Sequence, residues 1–177
     1  AWLAAWGESG RPARAIDLGT GSGCIAVSLA VHAQGVEVTA TDLSPAALEV
    51  ARRNSLRHGV AERIDFACCD LFPTANSAYD LMLANLPYIP TRALHKLAVF
   101  GREPTLALDG GGDGLKILRR VLAEAPDRLA PGGLLLMEIE SGQGPSVLSL
   151  ACDSFAQAEI HLHKDLAGHD RLLEVQV

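Results

Sequence analysis

The sequence predicts an α/β fold built on a doubly wound, mostly parallel sheet, and three observations carry that prediction. Short apolar runs alternate with segments of helical period along the whole chain. A glycine-rich turn, DLGTGSG at 17–23, follows the first apolar run and opens a helical segment. Polar residues recur at the ends of successive apolar runs: Asp17, Asp42, Asp70 and Asn85. In an open α/β sheet, ligands gather outside the carboxyl ends of the strands, so these side chains are expected to line one crevice.

The elements follow in order. ARAIDLG (13–19) reads as the first strand and GCIAVSLAVHAQ as the helix behind it. VEVTATD (36–42) is the second strand. The segment after it carries its own punctuation: Ser44 is a natural N-cap, Pro45 the favoured first helical residue, and Gly59 the stop. RIDFACC is the third strand and YDLMLAN the fourth. A long connection, 85–112, precedes a helix expected over 113–129, and loops of that length are usually functional or disordered. PGGLLLMEIE is a fifth strand behind a Pro-Gly-Gly turn, SVLSLAC a helix, and AEIHLH and RLLEVQV the last two strands. Residues 1–12, with Trp2 and Trp6 four apart on one helical face, read as a linker or the end of an upstream helical segment, and 13–177 as one domain.

Composition narrows the classes. With 177 residues, 49% of them hydrophobic and 20% charged, the chain suits one well-buried domain. A net charge of −6 disfavours a surface built to neutralise many phosphates. No apolar run approaches the roughly 20 residues of a membrane span, and the reading is a soluble, cytoplasmic protein. Cys24, Cys68, Cys69 and Cys152 lack CxxC spacing and read as small buried hydrophobes. His161 and His163 have no carboxylate or cysteine at ligand spacing, so no metal is expected.

The glycine turn admits three readings. A P-loop needs a Lys-Ser/Thr pair after its glycines, and none is present. A dinucleotide turn wants GxGxxG, whereas the spacing here is GxGxG with Cys24 at the last position. S-adenosylmethionine has no phosphate and carries positive sulfonium and ammonium groups, which suits a loop with acidic Asp17 and no basic side chain. On that reading the seat comprises Asp17, Gly19, Thr20, Gly21, Gly23, Asp42, Leu43, Asp70, Leu71 and Asn85. Asp42 accepts from both ribose hydroxyls. Asp70 accepts from the adenine amino group, with apolar Leu71 and Phe72 flanking the base.

LMLANLPYIP (81–90) sets Asn85, Leu86, Pro87 and Tyr88 directly after the fourth strand. The Asn85 side-chain oxygen and the Leu86 carbonyl can each accept one N–H of a flat, weakly nucleophilic amide, and the Tyr88 ring can lie against it. Pro87 biases Leu86 towards extended backbone. No general base is needed, because the nitrogen gains positive charge as it is alkylated and its acceptors then bind more strongly.

With DLGTGSGCIAVSLA, TDLSPAALEVARRN, YDLMLANLPYIP, EPTLALDGGGDGLKILRRVL, PGGLLLMEIESGQG and DLAGHDRLLEV in view, the chain resembles the HemK-type protein-(glutamine-N5) methyltransferases over about 16–177. These enzymes modify the glutamine of the Gly-Gly-Gln loop in peptide chain release factors. The resemblance implies a Rossmann-like class I methyltransferase fold, a seven-stranded sheet with an antiparallel last strand, and a helical substrate-binding domain upstream. It further implies S-adenosylmethionine as donor, S-adenosylhomocysteine as product, and a release factor as partner. Asn85, Leu86, Pro87 and Tyr88 become the catalytic and substrate-binding residues, with Glu103 shaping the substrate pocket. The family motif is Asn-Pro-Pro-Tyr, and here Leu86 takes the first proline position. A backbone acceptor survives that exchange, so a working but slower site is expected. Two rivals remain at this point: methylation of an exocyclic amine of adenine or guanine in RNA or DNA, and a non-catalytic module disabled by Leu86. DGGGDG (109–114) lacks the ligand pattern of an EF-hand loop and reads as a flexible entry to the next helix.

Overall fold

A computed structural model describes residues 6, 11–74, 77–96, 101 and 104–177. Trp2 and Glu103 lie outside the described residues, as does most of the proposed linker. The chain divides into two compact units, residues 1–84 and 85–177.

The first unit holds four strands and two helices: β1 Ala13–Leu18, α1 Cys24–His32, β2 Val36–Asp42, α2 Pro45–Arg57, β3 Ile64–Cys68 and β4 Tyr79–Ala84. All its pairings are parallel. β1 lies between β2 and β4, with Leu18 level with Thr41 on one side and Ala84 on the other, and β3 pairs with β2. A strand flanked on both edges and covered on both faces has few exposed positions, and five of the six residues of β1 are buried. α1 turns Ala26, Val27 and Ala30 inward. At α2 the sequence signals hold in detail: Ser44 Oγ accepts from Ala47 N at 3.2 Å, Pro45 opens the helix, and Gly59 sits at φ 68°. The start of β1 is tied to β4 by Asp80, a buried carboxylate that accepts from both terminal nitrogens of Arg11 and from the Arg14 amide, each at 2.8 Å. Burial alone would raise the Asp80 carboxyl, but the hydrogen bonds from Arg11 and Arg14 outweigh it and hold it below its ordinary range.

The second unit contains α3 Lys116–Glu124, β5 Leu129–Glu138, α4 Gly144–Ser154, β6 Glu159–Lys164 and β7 Asp170–Gln176. β7 pairs antiparallel with both β5 and β6, and its Leu173 and Val175 are fully buried. The strands form a seven-stranded sheet in the order β3-β2-β1-β4-β5-β7-β6. The α/β, mostly parallel reading therefore holds, and so does the antiparallel last strand. Among the described residues no helix is long and apolar enough to cross a membrane.

Several local expectations are corrected. The helix expected over 113–129 is only Lys116–Glu124: Pro126 has no N–H to continue it, and the chain tightens into a 3₁₀ turn, Ala125–Asp127. The fifth strand begins before its Pro-Gly-Gly segment, which runs inside it with Gly132 at φ 75°, and the ladder to β7 starts at Leu134. The cysteines are not buried. Cys24, Cys68 and Cys152 are exposed and Cys69 half-buried, because Cys24 opens a helix, Cys68 closes an edge strand and Cys152 faces outward on α4.

Candidate active site

The glycine loop is shaped by backbone angles that residues with a Cβ avoid. Gly19, Gly21 and Gly23 stand at φ 65°, 56° and 81°, alternating with Thr20 and Ser22. At Gly23 a Cβ would also meet the Cβ of Ala51 at 3.0 Å, whereas at Gly21 the space is open. The loop is laced to its surroundings by two carboxylates. Asp17 Oδ2 accepts from Thr20 Oγ1 at 2.6 Å and from the Ala26 amide in the first turn of α1 at 3.1 Å. Asp42 Oδ2 accepts from the Gly21 amide at 2.9 Å, while its Oδ1 accepts from the Ser44 amide at 2.8 Å.

These two acids have different environments. Asp17 is 1% exposed, and burial pushes its carboxyl up to about 6 against the bonds from Thr20 and Ala26. Its work is therefore to organise the loop. Because its folded-state value is raised, the folded protein holds more protons than the unfolded chain between about pH 4 and about pH 6, and stability falls as pH rises through that window. The full effect is on the order of 3 kcal/mol. Asp17→Asn is expected to abolish this slope, so that the variant gains on the wild type as pH rises from 4 to 7, as read by urea unfolding at each pH. Asp42, in contrast, is only half-buried at the end of β2, beside Leu43, whose side chain is half exposed.

The end of β3 makes a strained corner. Leu71 is the one residue other than glycine with positive φ among the described residues, at 62°, and the Phe72 amide donates to the Asp70 carbonyl at 3.0 Å across it. A bond spanning two residues about such a centre is the γ-turn with positive φ, an uncommon and strained form. Asp70 is left exposed, while Leu71 and Phe72 are buried. Thr41, fully buried, holds the corner by donating from Oγ1 to the Leu71 carbonyl at 2.7 Å, and the Cys69 amide donates to the Asp42 carbonyl at 3.1 Å. Sequence reasoning missed Thr41. Its signal was a hydroxyl at the end of a strand, between Ala40 and Asp42.

In the second unit, Asn85 directly follows the last residue of β4. It is exposed, and among the described residues its side chain makes no hydrogen bond within the protein. Leu86 is 5% exposed. That burial matters for the departure from two prolines: seating a leucine is worth roughly 1.5–3 kcal/mol, more than the roughly 0.4–1 kcal/mol lost with the ring's constraint. Position 86 is anchored by packing where a proline would anchor it by covalent geometry.

Pro87 and Tyr88 are half-buried. Tyr88 is held at both ends. Its hydroxyl donates to Glu138 Oε1 at 3.0 Å, and its carbonyl accepts from Gln143 Nε2 at 2.8 Å. Burial raises the Tyr88 phenol, and the Glu138 charge adds to that. Gln143 is itself fixed, since its Oε1 accepts from the Glu140 amide at 3.0 Å while the Glu140 side chain accepts from the Gly142 amide, a reciprocal cap on the 3₁₀ turn Ser141–Gln143.

DGGGDG is an organised cradle rather than a flexible entry. Ile89 and Asp109 form an isolated bridge, with the Ile89 amide on the Leu108 carbonyl at 3.1 Å and the Gly110 amide on the Ile89 carbonyl at 2.8 Å. Asp113 accepts from the Leu115 amide and forks onto Arg119. Gly114, at φ 79°, packs its α-carbon against the Tyr88 carbonyl and the Gln143 amide, leaving no room for a Cβ. Of the residues read from the sequence, Tyr88 is the one bonded into this network, with Asn85, Leu86 and Pro87 preceding it along the chain, while Glu138, Glu140 and Gln143 were not singled out. Their signal lay in EIESGQG, whose Glu and Gln stand three apart at a helix entry.

Comparison with known proteins identifies the family and the fold. A family described as "Methyltransferase small domain" matches residues 7–100. A release factor glutamine methyltransferase of Cereibacter sphaeroides is 43% identical over 167 residues, covering 93% of this chain and 60% of its own length. One from Moorella thermoacetica is 48% identical over 157 residues, covering 88% of this chain and 56% of its own length. A ribosomal protein uL3 glutamine methyltransferase of Bradyrhizobium diazoefficiens is 46% identical over 132 residues, covering 73% of this chain and 41% of its own length. The chain thus spans 60% or less of these relatives. Among solved structures, a methyltransferase from Pyrococcus furiosus superposes with a TM-score of 0.69 at 17% identity, covering 94% of this chain and 75% of its own, which establishes a shared fold.

Proposed function

The chain belongs to the methyltransferase small domain family, and from that premise we propose that residues 13–177 transfer a methyl group from S-adenosylmethionine to the side-chain amide nitrogen of a glutamine in a protein. The favoured acceptor is the Gly-Gly-Gln glutamine of a peptide chain release factor, modified in the cytoplasm, with residues 1–12 as a linker or the end of an upstream helical segment. The observation that carries this reading is Asn85: an exposed carboxamide with no hydrogen bond inside the described protein, one residue past a buried strand and three before a tyrosine held at both ends. Two of the relatives just described are named for release factors and a third for a ribosomal protein, all of them for glutamine.

The first unit fits the donor. The open space over Gly21 admits a ligand against the backbone. Asp42, half-buried and already committed to two amides, has lone pairs remaining for a ribose diol. Leu43 and the turn at Asp70 and Leu71 offer an apolar wall and an acceptor for adenine. Bound there, the donor supplies a methyl on a positively charged sulfur. The protein's own part is placement. Asn85 Oδ1 and the Leu86 carbonyl accept the two amide protons, Tyr88 confines the flat group, and Pro87 and Leu86 fix the backbone that presents them. Glu103, outside the described residues, keeps the role that the family resemblance implies, shaping the substrate pocket.

Two experiments test the reading. Labelled donor incubated with purified release factor or with stripped RNA should label the release factor at its glutamine; label appearing in RNA would overturn the assignment. Asp42→Ala should weaken donor binding about 10- to 100-fold by calorimetry, through loss of a charge-assisted acceptor worth roughly 1.5–3 kcal/mol. Equal affinity would remove Asp42 from the seat.

A further inference from the structure

We infer that Glu138 and Gln143 are positioning residues, which grip Tyr88 by its hydroxyl and by its carbonyl and thereby set the angle at which its ring meets the acceptor amide. This rests on the reading of Asn85 to Tyr88 as an amide clamp and adds two residues to it from β5 and the entry to α4.

A tyrosine ring has two main freedoms relative to its neighbours, rotation of the side chain and drift of the backbone that carries it. The two contacts restrict one each. The Glu138 carboxylate at 3.0 Å from the phenol oxygen limits where the ring tip can go, and the Gln143 amide at 2.8 Å from the Tyr88 carbonyl limits the main chain. Neither partner is itself loose. Glu138 is the last residue of β5, in register with Leu172 of β7. Gln143 is 6% exposed and locked by its bond from the Glu140 amide. A Cβ at Gly114 would overlap both the Tyr88 carbonyl oxygen and the Gln143 amide, so the bond between them needs a glycine there. A group needed only to fill volume would require none of this; a ring required at one angle requires both holds.

The charge on Glu138 also has a measurable trace. Burial, with this carboxylate adding to it, keeps the Tyr88 phenol above its ordinary value of 10. Removing that charge while keeping an acceptor, as in Glu138→Gln, should let the phenol ionise at lower pH. The chain has two tyrosines, so a Tyr79→Phe background leaves Tyr88 as the sole reporter. Incorporating fluorotyrosine, a stronger acid, brings the titration to milder pH.

The test combines that titration with a mutant cycle on wild-type and variant protein. Glu138→Ala and Tyr88→Phe are each expected to lower kcat on a glutamine-bearing release factor by about 10-fold, with donor affinity unchanged. The double variant should be no slower than either single one, and Glu138→Gln should recover most of the rate. Losses that multiply in the double variant, or a phenol titration that ignores Glu138→Gln, would overturn the inference. A wild-type protein that binds donor yet labels no glutamine would overturn the parent reading instead, while the titration would still decide whether Tyr88 is held by Glu138.

Discussion

Asn85→Ala is expected to lower the rate of methyl transfer by on the order of 10²–10³-fold, with donor affinity nearly intact and folding stability unchanged. The magnitude follows from the chemistry of the acceptor. A carboxamide nitrogen shares its lone pair with the adjacent carbonyl, so it attacks only when held in line and stabilised as it becomes cationic. An oxygen that accepts its N–H does little in the ground state and more as charge builds, which is the condition for raising kcat rather than lowering KM. The absence of a stability effect follows from the structure. Asn85 is exposed and bonded to nothing in the described protein, so its truncation leaves no buried group unpaired, and such changes usually stay within about 0.5 kcal/mol. Single-turnover kinetics with labelled donor and release factor, beside calorimetry of the donor and a urea unfolding curve, separate the three quantities. Unchanged turnover would take Asn85 out of the chemistry, and a collapse of stability would recast it as a structural residue.

The legible parts of this protein are those whose physics is local. Ser44, Pro45 and Gly59 announced α2 because a cap, a fixed φ and a left-handed stop each act within a few residues. The glycine loop was legible for the same reason: alternate positive φ values write themselves into sequence as alternate glycines. What escaped was contact across distance. Gln143 reaches the Tyr88 carbonyl across 55 residues of chain, and Glu138 reaches its hydroxyl across 50. No periodicity records either bond. The role of Asp17 was half legible, since an acid beside a glycine turn suggests charge for a cationic ligand. Only burial and two donors on one oxygen show that it organises the loop. Pro126 was different: the signal was present and shortened a helix that apolar spacing had overextended.

Gly114→Ala is expected to destabilise the protein by roughly 2–5 kcal/mol and to cost transfer activity on the order of 10²-fold even where the variant remains folded. Two independent faults meet at this position. At φ 79° an alanine is forced into a left-handed conformation, at roughly 1–2 kcal/mol. Its Cβ would also overlap the Tyr88 carbonyl oxygen and the Gln143 side-chain amide, so the bond between them must open, leaving a buried acceptor or donor unpaired at roughly 1–3 kcal/mol. The second fault connects stability to function, because displacing the Tyr88 main chain shifts the clamp next to it. Gly112→Ala supplies the control within the same glycine run. A Cβ there meets nothing within 4 Å and the backbone is not left-handed, so stability and rate should match the wild type. A flexible linker would tolerate both substitutions alike. A cradle for the Tyr88 carbonyl accepts one and rejects the other, and urea unfolding with single-turnover rates on the two variants decides between them.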